Sequence, residues 1–132
     1  LISGKYYIGQ CYDNGYDVIK NLSHSFNWYL KSAEEGNASG QNEIGYCLMY
    51  GERTHIEEEK GLKWYIKSIE NGSYLGHCNA GCYYEGIGDY TGAFENYVKS
   101  AEGGSCLGQY NLAHCYNDGI GTNHTKLWYH IY

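Results

Sequence analysis

The sequence predicts an all-α repeat solenoid, and three observations carry that prediction. The stretch from Trp64 through Gly76 has relatives at Trp28 through Gly36 and Tyr97 through Gly104, and a further Trp128-Tyr129 pair stands near the end. Trp28 and Trp64 are 36 residues apart, and Tyr65, Tyr97 and Tyr129 follow at intervals of 32. Self-similarity at this period marks units that bury their apolar faces only against their neighbours. Within each unit the recurring positions follow helical spacing, and glycines punctuate the helical segments.

Each unit opens with a first helix. It reads Ile8-Gly9-Gln10-Cys11-Tyr12-Asp13-Asn14-Gly15, then Ile44 through Gly51, then Leu112 through Gly119. The third unit aligns as Ala80-Gly81-Cys82-Tyr83-Tyr84-Glu85-Gly86, one residue short, with its aliphatic position lost between Asn79 and Ala80. Positions 8, 11, 12 and 15 define one helical face. The closing glycine (15, 51, 86, 119) suits a left-handed C-cap. A small residue at 9, 45, 80 and 113 lets another helix come close. Glycine inside a helix costs about 1 kcal/mol relative to alanine, so its recurrence points to packing that outweighs the loss.

A linker and a second helix follow. In unit two that helix is expected to begin near Thr54, with Glu57, Glu58 and Glu59 in its first turns, where carboxylates favour the positive helix end. Phe26, Tyr29 and Ala33 form an amphipathic stripe, as do Leu62, Tyr65 and Ile69, and Phe94, Tyr97 and Ala101. These helices stop at Gly36, Gly72 and Gly104. The units therefore fall at about 4–39, 40–75, 76–107 and a truncated 108–132, in a single array over 1–132. An array needs about three repeats and polar caps. With its last unit cut short, residues 108–132 are expected to be least protected from hydrogen exchange.

Composition bounds the chemistry. Apolar residues make up 42% of the 132, but 17 are tyrosines, so the core should pair aromatic rings with small residues. The net charge is −6 with no run of Lys or Arg, which argues against nucleic acid and anionic membrane surfaces. No apolar run approaches the roughly 18 residues of a membrane span, and nothing reads as a signal peptide. A start at Leu1 and an end inside a repeat are expected of a fragment of something longer.

The pattern Leu112-Ala113-His114-Cys115-Tyr116-Asn117-Asp118-Gly119-Ile120-Gly121-Thr122, together with Trp28-Tyr29-Leu30-Lys31-Ser32-Ala33-Glu34-Glu35-Gly36, resembles the Sel1-like repeat, a relative of the tetratricopeptide repeat. The resemblance runs over essentially the whole chain. It implies antiparallel helix pairs stacked in a right-handed superhelix, and adaptor roles in assembling protein complexes. Unit three departs from the pattern with Asn96 in the tryptophan place, and unit four with Lys126 in the place of Phe26.

Positions that vary between units mark a candidate recognition surface. Tyr6, Gln10 and Asp13 become Asn42, Tyr46 and Met49, then Cys78, Gly81 and Tyr84, then Tyr110, His114 and Asn117. Offsets of 3 or 4 place each trio on one helical face, away from the recurring face. First helices line the concave side of solenoids. The variable stripe is thus expected to face a protein or peptide partner, with Tyr46, Met49, Tyr84 and Tyr110 as anchors. Mere exposure is the competing explanation.

Other chemistry finds less support. Cys11, Cys47, Cys82 and Cys115 occupy one repeat position and read as small buried thiols. Some secreted members of the family resembled bridge the two helices of a unit with cysteines at a fixed spacing. No such pair recurs here, so reduced thiols and a reducing, cytoplasmic setting are expected. Four Asn-x-Ser/Thr sequons (Asn21, Asn37, Asn71, Asn123) point instead to a secretory or luminal protein. His77, Cys78, Cys82, His114 and Cys115 suggest zinc, but no Cys-x-x-Cys accompanies them. No phosphate-binding loop or nucleophile elbow occurs, so neither enzyme activity, cofactor nor metal is expected. The reading is a non-catalytic protein-interaction adaptor; the alternative is an accessory repeat domain of a larger signalling protein such as a protein kinase. Association of copies through the repeat ends stays open.

Overall fold

The structure, a computed structural model, describes residues 4–119, and the side chains of all of these except Cys106, Leu107 and Tyr110. It divides into two compact units, Leu1–Ser73 and Tyr74–Tyr132. The first holds α1 (Gly4–Asn14), α2 (Leu22–Glu34), α3 (Ala38–Tyr50) and α4 (Glu58–Glu70). The second holds α5 (Tyr74–Gly86), α6 (Tyr90–Glu102) and α7 (Cys106–Asp118). No strand occurs among the described residues. In the first unit α1 packs on α2, α2 on α3 and α3 on α4; in the second, α6 packs on both α5 and α7. The expected second helix of the fourth repeat, around Trp128-Tyr129, lies outside the described residues, as does the sequon at Asn123.

One contact recurs in three repeats and explains the small residue on each first helix. Tyr29, Tyr65 and Tyr97 are buried to 2% exposure or less. Each ring packs closely against a glycine of the preceding helix. A Cβ added to Gly9 would stand 2.7 Å from Tyr29 Cδ1, one on Gly45 2.5 Å from Tyr65 Cδ1, and one on Gly81 2.5 Å from Tyr97 Cε1. Burial of an aromatic side chain contributes about 1.5–3 kcal/mol, which exceeds the helix-propensity loss of the glycine beneath it. A second small position, Ser25, Gly61 and Ala93, escapes the sequence reading. All three are buried, and Gly61 brings α4 onto the α3 backbone at Met49.

The Gly81–Tyr97 contact corrects the alignment of the third repeat. Gly81, not Ala80, takes the place of Gly9 and Gly45, and α5 has the same 13 residues as α3 and α7. The first helix is therefore not a residue short. Ala80 fills the aliphatic place, Tyr83 rather than Cys82 fills the place of Cys11, Cys47 and Cys115, and the variable trio becomes Cys78, Cys82 and Glu85. The expected C-cap also moves. Gly15, Gly51 and Gly119 have φ of 71–72°, whereas Gly86 ends α5 as a helical residue and the left-handed turn falls on Gly88 at φ 84°.

Helix starts follow capping chemistry. Asn21, Asn37, Asp89 and Ser105 each accept a hydrogen bond from a first-turn amide, at 3.0, 2.8, 2.9 and 3.1 Å, worth about 0.5–2 kcal/mol apiece. Helix α4 starts at Glu58, later than the expected Thr54, because Glu57 N–H donates to Leu48 O and Ile56 packs on Gly51. The Trp-Tyr-x-Lys motif is likewise physical. Lys31 sits 4.3 Å from the centre of the Trp28 ring and Lys67 4.9 Å from that of Trp64, a cation–π pair one helical turn apart. In the third repeat Asn96 replaces the ring and pairs with His77 Nδ1 at 3.1 Å.

Candidate protein-binding surface

In the first unit the variable stripe is only partly open. Tyr6 and Gln10 are half-buried; the Gln10 amide donates to Tyr6 Oη at 3.3 Å, and the Tyr6 ring lies 5.4 Å from Tyr29. Burial, with the Glu43 carboxylate next, pushes the Tyr6 hydroxyl above its usual pKa. Asn42 and Met49, expected to be exposed, are buried at 6% and 5% exposure. The reason at Met49 is the glycine opposite: with no side chain at Gly61, α4 closes over this end of α3. Tyr46 remains an open aromatic. It is 38% exposed, and its ring packs at 4.8 Å against that of Tyr50, itself 50% exposed.

Asp13 has a structural partner that sequence reasoning missed. Arg53 Nε and Nη2 donate to its two oxygens at 2.6 and 2.7 Å, joining the loop after α3 to the end of α1. Arg53 also donates to Cys47 Sγ at 3.1 Å, lies 3.3 Å from Glu43 and covers the Tyr29 ring. This fork raises the guanidinium pKa further, the Asp13 hydrogen bond leading. Glu43 is pushed up by burial, against the pull of Arg53. Arg53 is the sole arginine of the chain, two residues past a capping glycine, and that was the available signal.

The second unit gathers the rest. Tyr84 packs against the core cluster of Tyr97 and Leu112 and is no open anchor, a consequence of the corrected register. The Tyr110 side chain lies outside the described residues. His114 is 40% exposed, with Nδ1 3.0 Å from Asp118 and Nε2 3.6 Å from Glu85, and Asn117 donates to Asp118 at 3.2 Å. Of the corrected trio, Cys82 and Glu85 adjoin this histidine in a cleft of about 390 Å³, and Cys78 is buried.

Another concavity lies in the first unit, beside the second helices. Phe26, Leu30, Ile44, Leu48 and Trp64 line a cavity of about 490 Å³ together with Lys60, Lys63 and Lys67. Three of the chain's nine basic side chains thus line this largely apolar cavity, with Glu57 among them 3.1 Å from Lys60. The sequons have structural roles: Asn21 and Asn37 cap helices, and Asn71 donates to Gln41 Oε1 at 2.9 Å. Among the described residues no helix is long and apolar enough to cross a membrane.

Comparison with known proteins agrees with this architecture. The model of the Sel1 repeat matches residues 2–37, 38–73, 74–105 and 106–124, which puts Gly9, Gly45, Gly81 and Ala113 at one place in their repeats. A Sel1 repeat protein from Oxalobacter formigenes superposes with a TM-score of 0.86 at 28% identity, over 96% of this chain and 53% of its own. A protective antigen of uropathogenic Escherichia coli strains with an SLR fold gives 0.83 at 28% identity, over 96% of this chain and 29% of its own. The chain thus spans about half the length of the first and under a third of the second. No curated protein matches it. Proteins built of these repeats are helical solenoids that generally act as protein-interaction scaffolds and are typically non-catalytic. With four matched repeats over nearly its whole length, the chain belongs to the Sel1 repeat family.

Proposed function

We propose that this chain is a non-catalytic protein-interaction module that takes a peptide or protein partner along its first-helix faces. The observation that carries the reading is the Tyr46–Tyr50 pair, two neighbouring exposed rings on α3, in contrast to the buried Tyr29, Tyr65 and Tyr97 of the second helices. Exposed aromatics of this kind supply large, rigid contact area and dominate binding energies where they are covered. Gln10 adds a polar contact on α1 of the first unit, and His114 and Asn117 offer polar contacts on α7 of the second. The free thiols of Cys11, Cys47, Cys78, Cys82 and Cys115 favour a reducing compartment, and the capping roles of Asn21 and Asn37 account for two sequons without glycans.

A second reading is favoured by the lysine-lined cavity of the first unit, which suits an apolar side chain flanked by carboxylates. One experiment separates the two. Affinity capture is run with the parent chain, with Tyr46→Ser/Tyr50→Ser and with Lys60→Glu/Lys63→Glu, after circular dichroism has matched their folds. A protein lost only by the tyrosine variant supports the first-helix site. Loss only by the lysine variant moves the site to the cavity, and no specific capture by the parent overturns the module reading. An accessory role beside a signalling domain such as a kinase would show as catalytic motifs in the same reading frame.

A further inference from the structure

The second unit brings two thiols and three polar side chains to one cleft. Cys78 and Cys82 lie one turn apart on α5 and are hydrogen-bonded to each other. Asn111 Nδ2 donates to Cys78 Sγ at 3.2 Å, and Tyr97 Oη stands 3.3 Å from Cys82 Sγ. Cys78 is fully buried, whereas Cys82 is partly open and lines the 390 Å³ cleft with Glu85, Tyr97, Asn111 and His114. One thiol is therefore placed to hold a proton inside, and the other to meet a reagent from solvent.

We propose that Cys82, open to the cleft beside the buried Cys78, is a modification site for small disulfides. The Cys82 sulfur attacks one sulfur of the disulfide R–S–S–R. A Cys82–S–S–R bond forms, the original S–S bond breaks, and RS⁻ leaves to take a proton from solvent. The cleft has room for the attached group beside His114 and Glu85. This site shares His114 with the binding face proposed above, but the inference does not depend on that reading.

The electrostatics agree with the geometry. The Cys78 S–H donated to Cys82 holds the latter below the ordinary thiol range; burial opposes this, and Tyr97 assists. Tyr97 has a single hydroxyl proton and two acceptors in reach, Cys82 and Glu85 Oε1 at 3.1 Å, so Cys78 is the main donor. The nearby Glu85 carboxylate works the other way. Cys47 and Cys115 are pushed up to about 11 and about 12 by burial. Lowering a thiol's pKa also lowers its intrinsic nucleophilicity, so the distinguishing signature is pH dependence rather than raw speed.

The test uses the intact folded chain and oxidised glutathione, with adduct formation at each cysteine followed by mass spectrometry between pH 6 and 8.5. An ordinary thiol, monitored as free N-acetylcysteine in the same tube, reacts roughly fifteen-fold faster at pH 8.5 than at pH 7 because its thiolate fraction rises by that factor. Cys82 is expected to change less than about three-fold over that interval. Cys78→Ala should restore the steep dependence. Tyr97→Phe, which keeps the ring, should shift the profile upward by a smaller amount and serves if Cys78→Ala fails to fold. A Cys82 profile as steep as that of N-acetylcysteine, or no adduct at Cys82 while half-exposed Cys11 is modified, overturns the assignment.

Discussion

Arg53→Ala measures how firmly the first two repeats are tied together. The Arg53 and Asp13 side chains are 10% and 19% exposed, and the guanidinium meets the carboxylate through two short bonds. Removing one partner of a buried pair costs about 3–5 kcal/mol, whereas an exposed pair contributes at most about 1 kcal/mol. Asp13 is close enough to water to be partly resolvated, which brings the expected loss to about 2–3 kcal/mol. The lost contact with the Tyr29 ring, 5.5 Å from the guanidinium carbon, adds about 0.5 kcal/mol. Asp13→Ala should cost less, because Arg53 retains Glu43 at 3.3 Å. Urea unfolding of the parent, both single variants and the double variant closes a double-mutant cycle. With m-values of about 1–3 kcal/mol/M, Arg53→Ala should lower the midpoint by about 1 M or more. A coupling energy below about 0.5 kcal/mol, with m unchanged, would refute the picture of a buried inter-repeat clamp and leave a surface ion pair in its place.

The packing and the caps set four further outcomes. Gly81→Ala should destabilise by about 1–2 kcal/mol, since the new Cβ would press on the Tyr97 ring. Gly86→Ala, with nothing within 4 Å and a helical backbone, should be neutral or stabilising by up to about 1 kcal/mol; a loss there would restore Gly86 as a left-handed cap. Glu43→Gln bears on pH. Burial raises the folded-state pKa of Glu43, so its contribution is fully present below the ordinary 4.5 and is lost as pH rises through the raised value. The variant should therefore match or exceed the parent at pH 7 and lose that advantage near pH 4, as read from urea midpoints at both values; a deficit at pH 7 that shrinks in acid would reverse the argument. Asn37→Ala should cost about 0.5–2 kcal/mol by removing the cap on Gly40 N–H, measured by thermal unfolding.

The repeats were legible because their chemistry is local. A tyrosine needs a residue without bulk beneath it, and both belong to one helix pair, so the Gly9–Tyr29 and Gly45–Tyr65 partners recur at a constant spacing. The third repeat misaligns in the sequence because Cys82 imitates the cysteine of the other repeats one place early; the ring against Gly81 settles the register, and the family match agrees. Exposure along the recognition stripe was harder to read. Met49 shares its repeat position with Asp13, and its burial depends on a glycine in another helix. The Arg53–Asp13 pair joins residues 40 apart in the chain, and nothing in either residue's neighbourhood announces the other. The Cys78–Cys82 pair was visible as two thiols one turn apart, but its proton sharing needed Asn111 and Tyr97 from other helices.

The tyrosine-on-glycine contact lies wholly inside each of the first three repeats, so duplicating or deleting one of them in the gene would leave the other copies their own locks. Chains of this kind are free to change length over evolutionary time. The Arg53–Asp13 clamp obeys a different rule, because it names its neighbour. A repeat inserted at the boundary between residues 37 and 38 would leave both side chains intact yet place them out of reach, so such an insertion would lose the clamp.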